Sequence, residues 1–352
     1  MIDISNTAET EDVSTEWRKS LSLYEKPSMM RSVWQIVNTF TPFIATWAIM
    51  LWMVHSKFSY WALLPFIAIA GGLKVRIFIL FHDCCHGSFF VNKNANRVFG
   101  YITGLLTFTP FEDWRRNHAG HHATTGDLDR RGVGDVWTLT VEEYLASSPW
   151  TRFTYRVFRN PIVLFVIGPL FVFLISQRFP HKGGGDREKN SVTVTNLLIV
   201  AFVTTMCLLI GWKTFLMLEL PIVALSGTIG IWLFYVQHQY ELVYWENHPE
   251  WDPMKAALEG SSYYKLPKVM QWFTGNIGLH HLHHLRPRIP NYYLQACFDN
   301  TPALHDVETL TFVTSLKSLF LNLWDETNQR LVSFSAIRGI KRSYKQETEV
   351  SM

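Results

Sequence analysis

Apolar residues are bunched along this 352-residue chain rather than spread evenly through it. Segments 33 to 54, 59 to 81, 192 to 212 and 214 to 236 are nearly free of charge. Each has about the 20 residues a helix needs to cross roughly 30 Å of hydrocarbon. HSKF joins the first two, which predicts a tight hairpin that returns the chain to its starting side at His82. The stretch VFGYITGLLTFTPF at 98 to 111 is too short to span and is interrupted by Gly104 and Pro110, so it predicts a re-entrant or interfacial piece. A third kind of segment, PIVLFVIGPLFVFLISQ at 161 to 177, carries Gly168 and Pro169 at its centre and lies between Arg159 and Arg178. Its length and its basic flanks predict that it does not cross.

Four crossings then place both termini and the polar loops on one side. The fold class expected is an all-α membrane protein of about four transmembrane helices, with re-entrant or interfacial segments and a helical cytoplasmic cap. Its parts are a polar N-terminal tail at 1 to 30, a membrane domain with its cap at 31 to 300, and an amphipathic helical tail at 301 to 352. The tail is drawn from TLTFVTSLKSLFLNLW, where apolar residues recur at mixed spacings of three and four.

Charge and cysteine content narrow the setting. The formal net charge is only +3, yet Arg115 with Arg116, Arg130 with Arg131, and Arg152, Arg156 and Arg159 gather beside the apolar segments. Juxtamembrane clusters of this kind meet anionic lipid headgroups, and nothing in the pattern points to nucleic acid. The acidic start MIDISNTAETEDVSTEW lacks the basic and apolar regions of a secretory signal and is expected to be cytosolic. Cys84, Cys85, Cys207 and Cys297 show no CxxC spacing, which argues against a disulfide framework or a zinc ribbon.

Histidines carry the chemistry. HDCCH at 82 to 86, HAGHH at 118 to 122 and HHLHH at 280 to 284 hold nine of the fourteen in the chain. His82 and His86 are four apart, and His118, His121 and His122, like His280, His283 and His284, use spacings of three and four, so each set returns to one side of a helix. His238 ends the last apolar segment on the same side as the three clusters. This is more imidazole than one metal takes, so two ions are the economical reading. His281 falls between its neighbours and is expected to point elsewhere or into the layer behind the ligands. Asp83, Asp127, Asp129 and Asn276 are candidates to orient ligand rings, as carboxylates and carbonyls commonly do. Zinc, copper, iron and nickel all accept imidazole, but breaking an unactivated C–H bond needs a redox metal, which favours iron over zinc. No HExxH helix is present.

HDCCHGSFF, NHAGHHATTGDLDRRGVGDVW and NIGLHHLHHLRPRIPNY resemble the three histidine boxes of integral-membrane fatty acid desaturases. Their wording is most similar to the delta-12 and omega-3 group and its bacterial acyl-lipid members. The resemblance covers roughly residues 30 to 300. It implies a di-iron centre held by His82, His86, His118, His121, His122, His238, His280, His283 and His284. It also implies oxygen as co-substrate, no organic cofactor in the chain, and a tunnel for an acyl chain carried on a lipid or thioester. Cys85 stands where many relatives have glycine. Electrons must come from an external donor of the ferredoxin or cytochrome type, since the chain has no GxGxxG run after a strand and no HPGG-like haem core. The basic face around Arg115, Arg116, Arg130 and Arg131 is a candidate dock for it. A bacterial plasma membrane with the active site on the cytoplasmic face is the expected location. Two other readings stay open from the residues: a hydroxylase or ketolase using the same site, and a non-catalytic membrane metal carrier or sensor.

Overall fold

Among the described residues of the computed structural model, four helices are long and apolar enough to cross a membrane: α1 (Met29–His55), α2 (Tyr60–His86), α6 (Asp186–Ile210) and α7 (Trp212–His238). The structure describes residues 19–337 and 339. All four predicted spans are therefore present, each longer than its apolar core because polar and ligand residues continue the helix at its ends. α6 leaves nearly all of its apolar stretch uncovered by protein, and Leu208 and Leu209 are largely exposed. Such a surface is stable only against hydrocarbon.

α2 runs without interruption through His82 and His86, so the first histidine pair belongs to the spanning helix itself rather than to a following loop. It ends at Gly87, whose φ of 68° and whose N–H bonded to the Cys84 carbonyl turn the chain out of the helix. The predicted re-entrant piece is a helical hairpin made of α3 (Lys93–Leu106) and α4 (Phe111–Thr124). Asn92 caps α3 through the Asn94 and Ala95 N–H groups, and Glu112 and Asp113 fall in the first turn of α4, where the helix dipole favours acids. At the tip, Phe108 takes a left-handed φ of 54° and the Thr109 N–H bonds to the Gly104 carbonyl. The inner faces need glycine, because a Cβ at Gly100 would lie 2.2 Å from the Phe111 ring and one at Gly104 would lie 2.5 Å from the Thr109 carbonyl.

α5 (Pro149–Phe158) and the following Val163–Arg178 stretch meet at a 59° bend, with π-helical geometry at Val163–Ile167. Pro161 stands in the gap between them and its missing N–H interrupts the ladder there, while Pro169 opens the turn after the π-helical stretch. The sharp bend thus falls before Gly168 and Pro169, where the sequence placed the interruption, and those two residues instead follow the π-helical stretch.

The tail departs from expectation. Instead of one amphipathic helix, Thr309–Thr311 forms strand β3, parallel to β2 (Tyr263–Lys265), and helix occurs in short pieces such as Pro302–Leu304 and Phe312–Phe320. Farther on, β4 (Leu323–Asp325) and β5 (Arg330–Val332) pair antiparallel, and β1 (Leu139–Thr140) joins β4 in parallel. Leu310, Leu323, Trp324 and Leu331 are buried, so the segment closes the cap as edge and core strands rather than lying as a helix on its surface. Residues 338 and 340 to 352, like 1 to 18 of the expected N-terminal tail, lie outside the described residues.

Candidate metal centre

α2, α4, α7 and α8 (His280–Leu285) bring nine imidazoles together where the membrane helices meet the cap. They divide into two groups. His82, His86, His118, His122 and His283 form one; His121, His238, His280 and His284 form the other. Within each group one ligand atom per residue lies within 4.8 Å of every other.

The division follows from helix geometry. His118 and His122 are one turn apart on α4 and face the first group, whereas His121, next to His122 in sequence, is rotated about 100° and faces the second. On α8, His280 and His284 share one face and His283 the other. Each of these two helices therefore serves both groups and fixes the spacing between them.

Inside the first group the ring Nε2 atoms stand 3.0 Å apart for His82 and His118, 3.1 Å for His118 and His122, and 3.0 Å for His122 and His283. In the second the separations are 3.2 Å for His121 and His238 and 2.9 Å for His238 and His280. Two ligands at a right angle around a metal, each at the usual zinc-like metal–nitrogen distance, would be separated by about 3.0 Å. The outer nitrogens add a stricter test. His121 directs Nδ1 at Asp135 Oδ1 (2.8 Å), and His238 Nδ1 donates to the Gly260 carbonyl (2.9 Å). With each ring's single proton on Nδ1, the two Nε2 atoms present lone pairs to each other, which is unfavourable unless a cation lies between them. His86 Nε2 and His284 Nε2 are buried with no hydrogen-bond partner. These residues fit a metal pair.

Burial, followed by repulsion from neighbouring rings, holds His118, His122, His280, His283 and His284 well below the ordinary imidazole pKa. All five are neutral at pH 7, the form a metal binds.

The expected orienting residues fare unevenly. Asp83 Oδ1 lies 3.5 Å from His82 Nδ1, while Asp83 Oδ2 accepts from the backbone and side-chain N–H groups of Asn291. Asp127 and Asp129 do not reach the rings. Asp127 caps the turn that follows α4 and pairs with Arg130 and His248, and Asp129 accepts from the His248 backbone. Asn276 sits at a left-handed turn, φ 58°, with its N–H on the Gln271 carbonyl, and serves backbone geometry instead. His281 turns away, beside Tyr263 and Phe298, where burial pushes its pKa down to about 3. Asp135 and the Gly260 carbonyl are the orienters that sequence reasoning missed, because neither stands at a fixed spacing from the ring it holds.

A cavity of about 650 Å³ adjoins the clusters. His82, His118, His121 and His280 form its wall at one end, and apolar side chains of α2, α7 and the bent Val163–Arg178 stretch enclose most of the rest. The fold and site together define a helical membrane protein whose two histidine clusters, each able to hold a metal, border a long apolar pocket.

Comparison with known proteins agrees. Residues 58–310 match the family model for fatty acid desaturases. The chain is 48% identical over 322 residues to a fatty acid desaturase of Bacillus subtilis, covering 92% of this chain and 91% of that protein. It is 26% identical over 249 residues to an sn-1 acyl-lipid omega-3 desaturase (ferredoxin) of Synechocystis, covering 67% of this chain and 66% of the relative. It is 28% identical over 262 residues to a chloroplastic omega-6 fatty acid desaturase of Arabidopsis thaliana, covering 69% and 54%. The chain belongs to the fatty acid desaturase family and is an oxidoreductase of the membrane.

Proposed function

We propose that the protein introduces a double bond into a membrane-derived acyl chain, using oxygen and two electrons from an external donor at a di-iron centre. The observation that carries this reading is the meeting of nine imidazoles, in two groups, with one end of a mostly apolar cavity. In this assignment His82, His86, His118, His122 and His283 hold one iron, and His121, His238, His280 and His284 hold the other. When bound, the iron pair supplies the oxygen activation that no protein side chain can perform.

The chain's own residues do the rest. Phe78, Ile79, Phe234 and Ile231 on the cavity wall hold a methylene segment by apolar contact and exclude water from the reacting carbons. Asp135 and the Gly260 carbonyl fix the tautomers of His121 and His238, keeping Nε2 free of a proton. Asn291 holds Asp83, and through it the His82 end of α2, against the cap.

The printed name of the Synechocystis relative specifies ferredoxin and an acyl-lipid, which supports a lipid-linked substrate and a ferredoxin-type donor here. The basic face proposed for docking is less free than its charge implies. Arg131 is held bidentate by Glu143, Arg130 by Asp127, Arg115 by Glu112, and Arg116 donates to the Lys182 carbonyl. With the metal site at the cap, we place that face in the cytoplasm of a bacterium.

Expression in a host lacking polyunsaturated lipids, followed by mass spectrometry and double-bond mapping of its fatty acids, tests the reading. Loss of two hydrogens is expected. Gain of an oxygen atom would assign the site to hydroxylation instead, and no lipid change with fully iron-loaded, reduced protein would overturn it.

A further inference from the structure

The cavity's lining on α2 follows one stripe of the helix, from His82 through Phe78 and Val75 to Lys74. Lys74 is an ionisable residue well inside the span, and it is buried. Its ammonium pairs with Glu219 on α7, which is also buried, and lies 5.0 Å from the centroid of the Phe108 ring. Phe108 is the left-handed residue at the tip of the α3–α4 hairpin, so the hairpin delivers an aromatic face onto the ammonium at this depth. No residue of α2 before Lys74 and none of α7 before Val223, one turn from Glu219, lines the cavity. Leu218 and Ile222, which flank Glu219 on α7, are fully buried in a packed cluster with Ala70, Ile67 and Met50.

We propose that the Lys74–Glu219 ion pair, covered by Phe108, is the blind end of the acyl cavity and sets how many carbons can lie beyond the metal clusters. The inference rests on the desaturase reading and adds to it the residues that decide where along the chain the reaction falls.

The physical argument is one of penetrability. An apolar plug yields to an alkyl chain, because plug and chain have the same preference for hydrocarbon and side chains can repack. Separating a buried ion pair leaves two uncompensated charges in a low-dielectric surrounding, which is strongly unfavourable. No methyl-to-methylene contact recovers that much, so the methyl end stops there. The polar end of the substrate must then lie on the side of the clusters away from the ion pair.

Depth follows from the helix. Lys74 and His82 are eight residues apart, or about 12 Å along the axis at 1.5 Å per residue. An extended chain advances about 1.2 Å per backbone bond. The segment between the clusters and the ion pair is thus on the order of ten carbons, counted from the methyl end.

The test is double-bond mapping in membranes of cells supplied with saturated acyl chains of graded length, with each variant's level in the membrane measured alongside. Lys74→Ala combined with Glu219→Ala removes the barrier, and the double bond is expected to move farther from the methyl end, with longer chains newly accepted. Val223→Phe, which fills the cavity one turn from Glu219 without touching a charge, should move it the opposite way and exclude the longest chains. Should the double variant fail to accumulate, the Val223→Phe profile decides. Unchanged positions and chain-length limits in accumulated, active variants would overturn the inference. Absence of any double bond from the unaltered protein would instead count against the desaturase reading.

Discussion

His121 and Asp135 are joined ring to carboxylate, Nδ1 to Oδ1 at 2.8 Å, with His121 buried and Asp135 half-buried. The bond fixes which nitrogen of His121 faces the four-histidine group. Asp135→Asn can present its amide N–H to Nδ1 and favour the tautomer with the proton on Nε2, the wrong one for a ligand. Metal affinity and turnover are expected to fall about 10- to 100-fold. Iron content by elemental analysis and product yield check this together; full occupancy with full activity would show that Asp135 has no part in orienting the ring.

The assignment of rings to two groups predicts stoichiometry. His238→Ala should lower iron from two per chain toward one by weakening only the group of His121, His280 and His284. His118→Ala should weaken only the other. Equal, complete loss from both variants would mean that the two groups do not bind independently.

Gly134 adopts φ of 73°, and a Cβ there would lie 3.0 Å from His121 Cβ. Gly134→Ala adds left-handed backbone strain of roughly 1–2 kcal/mol and presses on a ligand ring. Activity is expected to drop more than the thermal stability of the purified protein does. A variant equally active and equally stable would show that the loop can yield.

Acid should destabilise the metal-free protein. The folded-state pKa values of His118, His122, His280, His283 and His284 are depressed by burial and by repulsion between rings. Unfolded histidines titrate near 6.5, so below about that pH the unfolded chain binds more protons than the folded one. The stability is fully present above pH ~6.5 and is lost as pH falls toward the folded values. Thermal unfolding of chelator-treated protein in detergent across this range measures it. A Tm that is flat or rises on acidification contradicts the assignment, and bound metal should shift the loss to lower pH.

The spans and the histidine clusters were legible in the sequence because each rests on local information. A run of apolar residues is enough to define α1, α2, α6 and α7, and histidines three and four apart imply a helical face whatever the rest of the chain does. An interruption within 161 to 177 is local for the same reason, since a proline's missing N–H disrupts the ladder where it stands, although the sharp bend came at Pro161 rather than at Gly168 and Pro169. Tertiary structure decided what depends on distant partners. His121 and His122 are adjacent in sequence, yet the helix turns them to different groups, and only the positions of α7 and α8 determine which. Asp135 and Gly260 became orienters, and Asp127 and Asp129 did not, because side chains close in sequence can point away while a distant loop folds back. Leu310, Leu323 and Leu331 entered strands because partners were present in the cap, overriding a helical spacing. The meeting of Lys74 with Glu219, 145 residues later, is invisible without the packing of α2 on α7.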